Sequence, residues 1–201
     1  MSNIITLSRA TQNRAATVSQ RFKRAKSLRE KGFMSIELGL VLLVIAIMIA
    51  AAVLFYRDTQ RKNAINNNVA DIVSISGNLV SKYGQLNRYG DVTTALAVKA
   101  SVIPAHLRDV GADTATNRFG GVIELAPADI TATSDAVTIT WPNVAPGMCS
   151  DIVSGVQGEF RVITVDGTEV KADGDVLDMT ALEDACDTGA PTELVLSVGR
   201  S

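Results

Sequence analysis

Leu38–Tyr56 reads LGLVLLVIAIMIAAAVLFY, nineteen residues without a charge. A helix of that length extends about 29 Å, the thickness of a bilayer's hydrocarbon core. Apolar residues make up 47% of the chain and aromatic ones only 4%, so the apolar content is aliphatic, and much of it is concentrated in this run. The run is too long for the apolar region of an ordinary secretory signal. Cleavage after Ala50, Ala51 or Ala52 would leave Val53, Leu54 and Phe55 continuing it.

The charge on either side is unequal. Residues 1–32 hold eight Lys/Arg and one acid, a net +7, while residues 33–201 hold eleven basic and twenty acidic residues, a net −9. A basic arm ahead of an apolar span is what the positive-inside rule expects of a segment kept in the cytoplasm. The alternative, a nucleic-acid-binding tail, lacks any accompanying aromatic or base-reading pattern, and no nucleic-acid partner is expected. Between arm and span lies Lys31-Gly32-Phe33, where a poor helix former predicts a locally extended, protease-accessible site. Glu37 breaks the apolar pattern at the start of the span, between Ile36 and Leu38. A carboxylate in lipid costs about 2.5–3.5 kcal/mol on insertion scales, so such an acid is either functional or held at headgroup level by the helix dipole.

Gly32-Phe33-Met34-Ser35-Ile36-Glu37-Leu38, followed at once by the apolar run, resembles the processing site of type IV pilins and pseudopilins. The resemblance implies that prepilin peptidase cuts between Gly32 and Phe33, that Phe33 becomes a methylated N-terminus, and that Glu37 is retained for assembly. It implies a precursor anchored by a single pass in the inner membrane, handled by inner-membrane assembly machinery, and then an extracellular pilus, a helical homo-oligomer. The implied role is that of a major pilin whose filament serves adhesion, aggregation or conjugation. The long leader and the loose match of Asn117-Arg118-Phe119-Gly120-Gly121 point to the type IVb branch. Phe33 itself suits type IVa, whereas Leu54 stands where that branch has a kinking proline. A pseudopilin or minor pilin of a type II secretion system shares the site and the helix, and a single-pass membrane protein of another class predicts no cut at Gly32.

Beyond Tyr56, Ile65, Val69, Ile72, Val73, Leu79, Val80 and Tyr83 recur at helical spacing, with Arg57, Asp58, Arg61, Lys62, Asn66, Asn67 and Asp71 on other faces and Gly84 as a stop. One helix from near Met34 to near Tyr83 is expected, or two with a break near Arg57–Asn68. Residues 85–201 read as a small α+β head. Asp91 is expected to cap a short helix, Pro146 to open another, and Asp178 to cap a third. Strands are expected at Gly121–Leu125, Ala136–Trp141 and Glu193–Val198, with a hairpin turning at Asp166-Gly167. The domain plan is therefore 1–32 leader, 33–56 apolar helix, 57–84 amphipathic continuation and 85–201 head, with the long helix packed on an antiparallel sheet.

Cys149 and Cys186 form one disulfide or remain two buried thiols; the family resemblance implies a disulfide-bounded C-terminal region. With His106 as the sole histidine they make a poor zinc site. The spacing of Asp173-Gly174-Asp175 does not fit a calcium loop, and there is no phosphate loop or nucleophile elbow. No enzyme activity, metal or cofactor is expected. His106 reads as an ordinary loop histidine, and Trp141-Pro142 as the end of a strand.

Overall fold

The computed structural model describes residues 36–84 and 88–199, and the chain divides into two compact units, residues 1–58 and 59–201. Helix α1 is assigned over Asn3–Tyr83 and is unbroken across residues 57–68. The expected extended site around Gly32 lies outside the described residues. In the first unit every residue from 36 to 58 is exposed, including Leu43, Ile47, Leu54 and Phe55.

The second unit begins with the last part of α1. Ile72, Ile75 and Leu79 are fully buried there, with Ile65, Val69, Val73 and Tyr83 packed around them. Val80, expected in the stripe, is exposed, and Ile75 takes its place on the buried face. The helix ends at Tyr83, and α2 (Thr94–Lys99) follows a 3₁₀ turn at Tyr89–Asp91. Thr93, not Asp91, caps α2: its hydroxyl accepts from the Leu96 N–H at 3.3 Å. Asp91 sits too early in the chain and pairs with Arg88 at 2.8 Å instead.

Five strands follow: β1 (Glu124–Ala128), β2 (Ala136–Val144), β3 (Val162–Val165), β4 (Thr168–Lys171) and β5 (Thr192–Gly199). They form one sheet in the order β1-β2-β5-β3-β4, with every neighbouring pair antiparallel. β1 starts three residues later than expected because Gly121 belongs to the preceding turn. β2 does not end at Trp141. Pro142 has no N–H for the ladder, so the register shifts between Trp141 and Val144, and pairing resumes at Val144↔Thr192. Asp166 and Gly167 both have positive φ, 45° and 81°, the conformation a two-residue type I′ hairpin turn requires between β3 and β4.

Helix α3 (Cys149–Val156) starts later than the expected opening at Pro146. α4 (Met179–Cys186) is capped as expected: Asp178 accepts from the N–H groups of Thr180 and Ala181 at 2.9 and 3.1 Å. A Cβ on Gly155 would lie 2.9 Å from Val69, so a glycine is what lets α3 approach α1 this closely.

Each outer strand of the sheet has one of its edge groups bonded from outside the sheet. The Leu125 N–H on β1 donates to the Thr94 hydroxyl at 2.9 Å, and the Val170 carbonyl on β4 accepts from the Asp178 N–H at 2.9 Å. An uncovered edge would template pairing with another chain.

Candidate functional site

Residues 36–58 form the element whose exposure demands an explanation. Burying one Leu, Ile or Val side chain fully is worth about 1.5–3 kcal/mol, and here more than ten such side chains face outward. A run of this size is stable only in lipid or against other apolar helices. Glu37 is exposed at its start, between Ile36 and Leu38, which are 71% and 64% exposed. Glu37 has no hydrogen-bonding or ionic partner among the described residues. Gly32 and Phe33, the expected processing and methylation positions, lie outside the described residues.

The head that follows is locked to the second part of α1 by polar contacts. Asp71 of α1 is nearly buried, and its carboxylate accepts from Arg118 Nε at 2.6 Å and lies 2.9 Å from His106 Nε2. The sequence placed Asp71 on a solvent face and left His106 without a partner; instead the three residues tie α1 to two loops of the head. Asn68 is fully buried and accepts from Trp141 Nε1 at 3.2 Å, so the indole packs the core and keeps its N–H satisfied. Arg61 reaches Asp151 at 3.1 Å and donates to the Gly147 carbonyl, joining α1 to the start of α3. Had polar residues been admitted to the stripe, Ile65, Asn68, Ile72, Ile75 and Leu79 would have shown the buried face at spacings of three and four. Arg118→Ala leaves the buried Asp71 carboxylate with His106 alone. It is expected to destabilise the head by about 1–3 kcal/mol, read as a lower urea midpoint.

The Asn117-Arg118-Phe119-Gly120-Gly121 segment is a built turn. Asn117 Oδ1 accepts from the N–H groups of Phe119 and Gly121, both at 2.9 Å, and its side-chain Nδ2 donates to the Pro142 carbonyl at 2.6 Å. Gly120 has φ of 80°, and a Cβ on Gly121 would lie 2.7 Å from that same carbonyl oxygen. The turn is thereby seated on the bulge of β2.

Cys149 and Cys186 are joined in a disulfide with Cα atoms 5.6 Å apart, and both are buried. The bond links the first residue of α3 to the last of α4 and encloses the β3–β4 hairpin.

The neighbouring electrostatics are those of stabilising clamps. The Thr131 hydroxyl at 2.6 Å and the Ile130 N–H at 2.8 Å, with the N–H groups of Thr131 and Ala132, hold the Asp135 carboxyl far below the usual carboxylate range. Arg161, bound to Asp173 through Nε at 2.7 Å, lowers that carboxyl too. Carboxyls with folded values below their unfolded ones add stability that is present above the unfolded value and lost as pH falls toward the folded one. Head stability is therefore expected to drop below about pH 4, and Asp135→Asn should flatten that acid limb in urea melts across pH. Among the described residues no group of three or more His, Cys, Asp or Glu side chains is arranged to hold a metal.

Comparison with known proteins gives one consistent relationship. The family model described as PilS N terminal matches residues 59–198. The major structural subunit of bundle-forming pilus from Escherichia coli O127:H6 is 26% identical over 100 residues, which cover 50% of this chain and 52% of that protein; its counterpart from Escherichia coli O111:H- matches equally. The chain thus spans about half the length of these curated relatives. Among solved structures, TcpA, a type IV pilin from Vibrio cholerae El Tor biotype, superposes with a TM-score of 0.51 at 18% identity over 67% of this chain and 98% of that one. The type IV b pilin from Salmonella typhi gives 0.51 at 20% identity over 67% and 99%. The fold, a long N-terminal helix with a five-stranded antiparallel sheet, is that of type IV pilins.

Proposed function

Because this chain belongs to the PilS N-terminal family, we propose that it is the major structural subunit of a type IV pilus, polymerised through the apolar part of α1 into a surface filament. The observation that carries the reading is the apolar part of α1 described from residue 36, long enough to cross a bilayer and exposed along residues 36–58, with no cover from any of the described residues. Such a surface suits two successive environments, the inner membrane before assembly and a bundle of neighbouring helices afterwards.

In this reading prepilin peptidase cuts after Gly32 and frees an amine at Phe33, which is then methylated. An unpaired carboxylate and an unpaired amine are both costly in an apolar core. Seating the Glu37 of one subunit beside the Phe33 amine of its neighbour relieves both, and selects one stagger between subunits as a buried polar residue does in a coiled coil. The head supplies the outer surface and no catalysis; the disulfide-bounded region favours a pilin over a pseudopilin. Residues 33–56 act as filament core, 57–84 as the link, and 85–201 as the exposed head.

Filaments sheared from expressing cells and imaged by electron microscopy test this, with the mass of their subunit measured alongside. The expected subunit begins at Phe33, carries one added methyl group and dominates the sheared material. A fibre subunit that begins at Met1 overturns the proposal. A processed subunit that never leaves the membrane fraction favours the type II secretion reading instead.

A further inference from the structure

Nearly every cation described in the second unit is spent inside its own chain. Lys99 pairs with Asp113 at 2.7 Å, Arg118 with Asp71 at 2.6 Å and Arg161 with Asp173 at 2.5 Å. Of the other Lys and Arg side chains described in residues 59–199, only Arg108 lacks a hydrogen-bonding or ionic partner among the described residues. Its Nε is buried as well as unpaired. A buried donor left unbonded is costly, so a carboxylate from outside gains more here than at an ordinary surface arginine. Two residues on, Val110 is fully exposed on the loop 108–115. That loop is built to hold its shape. The Asp109 N–H donates to the Thr114 carbonyl at 3.0 Å, and the Asp109 carboxylate accepts from the hydroxyls of Thr114 and Thr116 at 2.6 and 3.0 Å. Lys99 pins Asp113 to α2. A preordered loop loses little entropy when it docks.

The matching surface lies where α3 leads into β3 and β4 leads toward α4. An open cleft of about 440 Å³ is lined by Phe160, Arg161, Lys171 and Asp173, together with Glu159 and Asp175. Its two cations are occupied, Arg161 by Asp173 and Lys171 by the carbonyls of Gln157 and Phe160 at 2.5 and 2.8 Å. The Glu159 and Asp175 carboxylates have no partner among the described residues. Val176, next in the chain after Asp175, is almost fully exposed. The cleft thus carries two unmatched negative charges beside an apolar side chain, and loop 108–115 carries an unmatched positive charge beside another.

We propose that loop 108–115 of one subunit docks into this cleft on a second copy of the chain, with Arg108 between Glu159 and Asp175 and Val110 against Val176. The inference rests on the filament of the proposed function. In that reading every copy enters the membrane in the same orientation, so loop meets cleft head to tail. The docking subunit's own cleft stays free for the next copy, and the contact repeats along the fibre without closing.

Filaments sheared from cells that express the full chain test this. Arg108→Glu is expected to lower their yield by more than about tenfold, and Glu159→Arg with Asp175→Arg to do the same, through like charges brought together. The head of each variant should melt as the parent does. All three substitutions in one chain should restore most of the yield. Filaments of Arg108→Lys treated with a zero-length carbodiimide should give dimers joined from position 108 to Glu159 or Asp175, identified by mass spectrometry. Normal yield from either charge reversal overturns the inference, as does a triple variant no better than the others. If a charge reversal lowers the melting temperature of the head, the crosslink decides, and its absence overturns the inference. A parent chain that forms no filaments overturns the filament itself, and this inference with it. Filaments indifferent to Arg108 leave the filament standing and remove only this contact.

Discussion

Replacing Cys149 and Cys186 together with serine is expected to cost the head about 3–4 kcal/mol, the chain entropy released when a loop of this length is opened. The bond closes 37 positions of chain, and within that loop lie the β3–β4 hairpin and α4. β4 is a four-residue outer strand, and most of what holds it comes from its partner β3 and from α4 beside it. Without the disulfide, α4 is anchored by Leu182 in the core and by its Asp178 cap. The loss should therefore appear first as exposure of this corner. Urea denaturation of the head should give a lower midpoint, and hydrogen exchange should show β4 and α4 opening before β2 and β5. A midpoint unchanged within error would mean that packing alone specifies the corner. Since a small domain has roughly 5–15 kcal/mol of stability in all, the double variant is also expected to accumulate poorly in cells.

The second large effect lies at Glu37. Glu37→Gln keeps the side chain's size and much of its hydrogen bonding and removes its charge. The variant precursor should enter the membrane at least as well as the parent, because a neutral amide costs less in lipid than a carboxylate. Its head should melt at the same temperature. Filament yield, measured by electron microscopy of sheared material, should fall by more than about tenfold, since the freed Phe33 amine of each incoming subunit would meet no counter-charge. Normal filaments from this variant would remove the pairing from the account. Reduced insertion would place the role of Glu37 in the membrane step.

How legible this protein is from sequence depends on the range of the forces involved. The span from Leu38 to Tyr56 and the turn at Asp166-Gly167 are local. One is fixed by an unbroken apolar run, the other by two adjacent residues with positive φ. The Asp178 cap is read just as directly, because an N-cap bonds only to its own first turn. Thr93 and Asp91 show the limit of that logic. Both are good capping residues, but Asp91 lies within the preceding 3₁₀ turn and pairs with Arg88, while Thr93 stands directly before α2 and bonds to the Leu96 N–H. Asp71, His106 and Arg118 were not legible as a group, because their meeting depends on how two loops pack on α1. Asn68 was missed for a simpler reason: a stripe drawn through apolar residues alone omits the buried polar residue that satisfies Trp141. The Glu37–Phe33 pairing is of a third kind. As proposed, it would join two copies of the chain, so it lies beyond what one subunit can show.

The order of the strands has a consequence for the path of folding. β5 lies between β2 and β3, so until residues 192–199 arrive the two halves of the sheet have no common strand. Each half has an open seam, and the pairing that closes both is of long sequence range and therefore slow to form. A chain halted at Gly189 is accordingly expected to stay sensitive to protease, where one that includes β5 becomes resistant. Late closure follows from chain order: β5 is the last of the five strands to be made, so the segment that completes the sheet arrives after the four it joins, and the delay is written into the topology.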